Sequence, residues 1–174
     1  DASKSTIPKI TYEKNENYEV YYLPYKGSLR DKILTKFGEN RLVFFRKILT
    51  INEIFFQYFF DSVIPFSNFY YFTSSYLTKN RDIKKMIISG RPFILFKFGY
   101  NLNKIHSVKW IADYRDDWNA TETDKYFNFR EKVIQKFESY FEKKYLKSSE
   151  FFISVSDFLT QNISSFIAKK GYVI

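Results

Sequence analysis

From Lys85 to the end of the chain, short β-rich runs alternate with longer stretches of helical periodicity, and no other feature restricts the fold as strongly. Lys85-Met86-Ile87-Ile88, Val108 to Ala112, Phe151 to Val155 and Tyr172 to Ile174 are strand-length and rich in apolar residues. Short apolar runs bounded by turn residues read as buried strands. A parallel strand pair needs a crossover long enough to hold a helix, so alternating strands and helices point to a parallel sheet. The expected fold is α/β: an open, doubly wound, Rossmann-like parallel sheet with helices on both faces.

The remaining segments follow from local signals. Residues 1–17 are polar and lack periodicity, so they are expected as a loose lead-in to a domain spanning 18–174. Tyr18 to Leu23 reads as a strand that stops at Pro24. Ser28 is placed to cap a helix through Phe37, which Gly38 ends. Leu42, Phe45, Leu49, Phe56, Phe59 and Val63 recur at helical spacing, and Pro65 stops that helix. A second helix is expected from Asn68 to Lys79. Pro92 suits the first turn of a helix that runs to about Asn103. Residues 126–147 form an amphipathic helix with Val133, Phe137, Tyr140, Phe141 and Tyr145 on one face. Ser156 caps a helix over 157–169, whose face is Phe158, Leu159, Ile163, Phe166 and Ile167, with Gly171 as its stop.

Composition narrows the functional classes. The chain has 174 residues and 45% hydrophobic content, enough for one domain with a real core. Lys and Arg number 28 against 19 Asp and Glu, a net charge of +9 that favours anionic partners. The basic residues are interleaved with acids rather than gathered in one stripe, so nucleic acid is not expected as a partner. Cysteine is absent, which excludes disulfides, thiolate nucleophiles and cysteine-based zinc sites. The single histidine, His106, cannot build a multi-histidine centre, and no metal is expected. The N-terminus has no basic-then-apolar leader, and no apolar run approaches the roughly 20 residues of a spanning helix. A cytoplasmic chain is therefore expected. Aromatics make up 22%, and a surplus of them on the surface would serve a partner or a peripheral contact with the inner face of a membrane.

The chemistry concentrates in Asp113-Tyr114-Arg115-Asp116-Asp117-Trp118, directly after the run Val108 to Ala112. In an open α/β sheet, ligands bind outside the carboxyl ends of the strands. A charge cluster there is solvated, internally paired or used on a ligand. On a ligand, Arg115 would clamp an anion while a carboxylate acts as base or hydroxyl acceptor. In the internal reading, Arg115 pairs with Asp113 or Asp116 to hold the loop. Ser89, Gly90 and Arg91 precede a helix, so their amides suit an anion, or Gly90 simply serves the turn. Trp118 is a stacking platform or a hydrophobic plug, and Ser156 a ligand or a cap. His106 lies at the opposite end of the strands. Asp113 and Asp116 share one loop three residues apart, a poor match for the two flanking carboxylates of glycoside hydrolysis.

Three blocks in series resemble the N-terminal, acceptor-side domain of a family 4 glycosyltransferase of the two-domain GT-B type. They are Ile87-Ile88-Ser89-Gly90-Arg91-Pro92-Phe93, then Trp110-Ile111-Ala112-Asp113-Tyr114-Arg115-Asp116-Asp117-Trp118 with its Asp-x-Arg-Asp-x-Trp pattern, then Phe152-Ile153-Ser154-Val155-Ser156. Leu23-Pro24-Tyr25 with Leu29-Arg30-Asp31 is a weaker fourth. The resemblance implies a retaining, metal-independent transfer of a sugar from a nucleotide-sugar co-substrate to a glycan or lipid-linked acceptor, with no other cofactor. It implies Asp113, Arg115 and Asp116 as catalytic residues and Ser89, Gly90, Arg91, Trp118 and Ser156 as substrate contacts. Two features depart from the family: the opening strand with its Gly-rich turn is missing, and no second, donor-binding domain follows. The chain is therefore expected to be a fragment or one subunit of a split enzyme, inactive alone, and to associate with copies of itself through its uncovered edge. The alternative is a non-catalytic α/β binding or assembly module with a basic, aromatic surface.

Overall fold

The computed structural model describes residues 9–60, 64–90, 92–116 and 129–174. It divides into two compact units, Asp1–Ser75 and Tyr76–Ile174.

In the first unit, β1 (Thr11–Lys14) and β2 (Glu19–Tyr22) form an antiparallel hairpin in which Tyr12 faces Tyr21 and Lys14 faces Glu19. The expected lead-in thus contains a strand. β1 is exposed at every position, so it carries none of the apolar alternation by which a strand is read. The strand expected at Tyr18 to Leu23 is present as β2, which among the described residues pairs with β1 and not with the parallel sheet. α1 (Leu29–Phe37) starts at a capping box: the Asp31 amide donates to Ser28 Oγ at 3.2 Å, and the Ser28 amide donates to Asp31 Oδ2 at 3.1 Å. Gly38 ends it at φ 75°, a left-handed value that glycine adopts without strain.

α2 (Val43–Phe59) follows, then a short 3₁₀ turn and α3 (Ser67–Lys79). The helix expected from Arg41 starts later, because Leu42 itself is left-handed at φ 53°. The residues read at helical spacing are not a buried face: Leu42, Phe45, Phe56 and Phe59 are all exposed, and Tyr58 is the buried residue of α2. Val63 lies outside the described residues. Asn68 Nδ2 donates to the Pro24 carbonyl at 2.8 Å, and the Lys26 amide donates to the Pro65 carbonyl at 3.2 Å, fastening the chain before α1 to the start of α3.

The second unit is α/β and Rossmann-like, as expected. A four-stranded parallel sheet runs β3 (Lys85–Ser89), β4 (Lys109–Tyr114), β5 (Phe152–Ser154), β6 (Gly171–Val173) in that spatial order. The crossovers carry α4 (Phe96–His106), α5 (Phe129–Leu146) and α6 (Asp157–Ile167). Pro92 precedes a 3₁₀ turn over Phe93–Leu95, and α4 begins after it. The strand order steps in one direction throughout, so right-handed crossovers bring these helices to one face of the sheet rather than to both.

Strand alternation then sorts the core. Trp110, Ala112 and Tyr114 share one face of β4, aligned with Met86 and Ile88 on β3 and with Phe152 and Ser154 on β5. The rings of Phe96, Trp110, Tyr114 and Phe152 are fully buried. Gly99 lets α4 lie directly on this layer, since a Cβ there would stand 2.5 Å from the Trp110 ring. The opposite face of the sheet carries Ile87, Ile111, Asp113 and Ile153.

Two helix faces differ from expectation. Among the described residues of α5, Phe141, Glu142, Tyr145 and Leu146 are buried while Val133 and Tyr140 are exposed, a rotation of roughly 100° from the expected face. On α6, Leu159 and Ile163 are buried and Phe158 is exposed. α6 stops at Ile167, with Ala168 left-handed at φ 52°. Gly171 is not the helix stop but the first residue of β6, where the Phe152 ring fills the space a Cβ would need.

Candidate functional site

β3 and β4 leave the sheet side by side, with Ser89 directly paired to Asp113. The register brings together three of the expected site residues. Ser89 Oγ donates to Asp113 Oδ2 at 2.6 Å, and Arg115 Nε donates to the same oxygen at 2.9 Å. The Gly90 amide donates to the Asp113 carbonyl at 2.8 Å, which locks the two strand ends. The neighbouring strand β5 ends beside them, with Ile153 opposite Asp113.

Asp113 is 1% exposed, yet its second oxygen, Oδ1, has no hydrogen-bond partner among the described residues. A buried acceptor left unmade costs about 1–3 kcal/mol, so such an atom calls for an explanation. Arg115 is the outward member of the ion pair, with its side chain 55% exposed. Among the described residues the guanidinium is engaged only through Nε. The arrangement is a carboxylate fixed through one oxygen and open in valence at the other, beside a cation with free donors. Chemically it suits a ligand that donates a hydroxyl or N–H and carries an anionic group.

The other expected residues fall differently. Asp116 is half-buried, one residue past Arg115. Gly90 is buried, its amide is already committed to Asp113, and a Cβ would stand 2.7 Å from the Phe93 ring and 2.8 Å from Phe96, so aromatic packing accounts for the glycine. Ser156 sits past the end of β5 on the same edge but acts as a cap: its Oγ accepts from the Leu159 amide at 3.2 Å. Behind it, Ser154 Oγ and Thr160 Oγ1 bond each other at 2.5 Å, and Thr160 Oγ1 donates to the Ser156 carbonyl at 2.9 Å. Arg91, Asp117 and Trp118 lie outside the described residues. His106 ends α4 at the far edge of the sheet, where it lines a cavity of about 380 Å³ with Arg81, Leu77 and Val108. Among the described residues no cluster of His, Asp or Glu is grouped to hold a metal.

Sequence reasoning missed Glu142. Its carboxylate is fully buried on α5 and accepts from the Tyr114 hydroxyl at 2.7 Å. Tyr114 and Asp113 are consecutive on β4 and point to opposite faces, so the strand end is anchored by a carboxylate on each side. The available signal was an acid inside an otherwise apolar helix stripe, next to Phe141. Comparison with known protein families, curated proteins and solved structures finds no match to this chain.

Proposed function

We propose that the second unit is the acceptor-binding domain of a glycosyltransferase, one that takes its sugar from a nucleotide-sugar donor and passes it to a glycan or lipid-linked acceptor. The observation that supports this most directly is that Oδ1 of buried Asp113, at the carboxyl end of a central parallel strand, has no partner among the described residues. Ser89–Gly90, Asp113–Asp116 and the strand-serine turn of β5 leave one edge of the sheet, in the order the glycosyltransferase resemblance implies.

In this reading a sugar hydroxyl donates to Asp113 Oδ1. Ser89 and Arg115 hold the carboxylate through Oδ2, so its orientation is set before the ligand arrives. Such preorganised groups stabilise developing charge without reorganising. Arg115 faces an anionic group, a phosphate of the donor or of a lipid-linked acceptor. The chain's share in transfer is orientation and charge stabilisation, with retained anomeric configuration and no metal.

The test is a glycan and nucleotide-sugar binding screen on the chain and on Asp113→Asn. The expected result is a saccharide ligand whose affinity falls at least about tenfold in Asp113→Asn, the scale of one lost charge-assisted hydrogen bond. Saccharide binding that is unchanged in a folded Asp113→Asn would refute the role of Asp113. A complete absence of saccharide binding would refute the domain's function.

A further inference from the structure

The cavity of about 380 Å³ beside His106 lies at the amino ends of β3 and β4, the sheet edge opposite Asp113. Its lining belongs wholly to the second unit. Leu77 comes from the last turn of α3, and Ile105 and His106 from the last turn of α4. Ile83 and Val108 come from the residues just before β3 and β4, and Arg81 from the turn after α3. Hydrogen bonds tie these walls together. The Lys109 amide donates to the Lys84 carbonyl at 3.1 Å, the Ile83 amide to the Asn80 carbonyl at 3.3 Å, and Asn103 Nδ2 to the Val108 carbonyl at 3.0 Å. A preformed cleft of a few hundred Å³, with apolar walls and few polar groups, is the form of a small-molecule site.

Arg81 sets the sign of the ligand. Its side chain is exposed, and among the described residues no carboxylate pairs with its guanidinium. No acid lines the cavity. α3 and α4 both end here, and helix C-termini favour cations, but those ends are already capped. The Asn80 amide and Asn80 Nδ2 each donate to the Tyr76 carbonyl at 2.9 Å, and the Ser107 amide donates to the Asn103 carbonyl at 2.9 Å. A full guanidinium charge with several N–H donors outweighs the partial charge of a capped helix end. Four apolar side chains beside that cation favour an organic ligand, because a bare inorganic anion would leave them against water.

We infer that this cavity binds a small organic anion, its apolar body against Leu77, Ile83, Ile105 and Val108 and its carboxylate or phosphate on Arg81. The His106 imidazole is a second polar group on the lining. The site shares no residue with the one at Asp113 and stands independently of the function proposed there.

The test is an amide chemical-shift titration of the full chain. Benzoate, phenyl phosphate, inorganic phosphate and benzyl alcohol are each taken to about 10 mM, because fragment-sized ligands bind weakly. Benzoate or phenyl phosphate should shift the amides of Leu77, Arg81, Ile83, Ile105 and His106 and leave those of Ser89, Gly90 and Asp113 in place. Inorganic phosphate lacks the apolar body and benzyl alcohol lacks the charge, so each should bind at least about tenfold more weakly. Arg81→Gln should weaken the organic anions at least about tenfold, and Ile105→Trp, which fills the rim of the cavity, should abolish their binding. Both replaced side chains are exposed, so melting temperatures should stay at the wild-type value. No shift with either organic anion would overturn the inference. So would unchanged binding in a folded Arg81→Gln or Ile105→Trp, or binding of inorganic phosphate or benzyl alcohol as tight as that of the organic anions.

Discussion

One oxygen of Asp113 holds two donors, and the other holds none among the described residues. Asp113→Asn keeps an acceptor for Ser89 and removes the charge seen by Arg115. That arginine is largely exposed, and exposed ion pairs contribute little. Thermal melts should therefore place Asp113→Asn within about 1 kcal/mol of wild type, while ligand affinity falls. A collapse in stability would mean that Asp113 serves the fold. The proximity of Ser89 and Asp113 was legible in the sequence, since each ends an apolar run in a βαβ pattern. Which oxygen would be engaged was not legible, because it depends on the register of β3 against β4. Glu142 escaped notice for a similar reason: its carboxylate is satisfied by Tyr114, a residue 28 positions away.

The elements divide by how they are covered. β4 and β5 were legible because strands buried in a parallel sheet read as continuous apolar runs. β1 was not, because an exposed hairpin strand has no buried face to pattern. In α1 the signal was local and complete, a serine with an acid three residues on. The Asp31 carboxyl is raised by burial, but the Ser28 amide, Arg30 and the Tyr25 hydroxyl more than offset this and hold it below its ordinary value. A carboxyl lowered in the folded state contributes stability above its ordinary value of about 4 and loses it as pH falls through the lowered one. Asp31→Ala should cost about 1 kcal/mol near neutral pH. The gap in melting temperature should close below about pH 4. A gap that persists undiminished in acid would remove charge from the account of this cap. In α4, replacing a helical glycine would ordinarily stabilise, but Gly99 sits against Trp110. Gly99→Ala should instead destabilise by about 1–3 kcal/mol, as overpacking does, and denaturant melts would show it. The face of α5 was misread because its covered stripe includes an acid, and that of α2 because its apolar residues are largely exposed.

At the scale of the molecule, the buried aromatic layer belongs to the second unit, and the exposed aromatics of α2 to the first. Amide exchange should follow: slowest in β4, which is buried along nearly its whole length, and fast in the exposed β1–β2 hairpin. Hairpin amides as protected as those of β4 would contradict this distribution. The alternation of strands and helices was enough to read the sheet, because each crossover joins strands that are neighbours in it. The role of the site rests on ligand chemistry, and the most direct test is an amide chemical-shift titration of the chain with saccharides and a nucleotide-sugar. Shifts are expected only in the Ser89–Gly90 turn and at Asp113, Tyr114 and Arg115, and none in a folded Asp113→Asn. Shifts elsewhere in the chain, or the same shifts in Asp113→Asn, would contradict it.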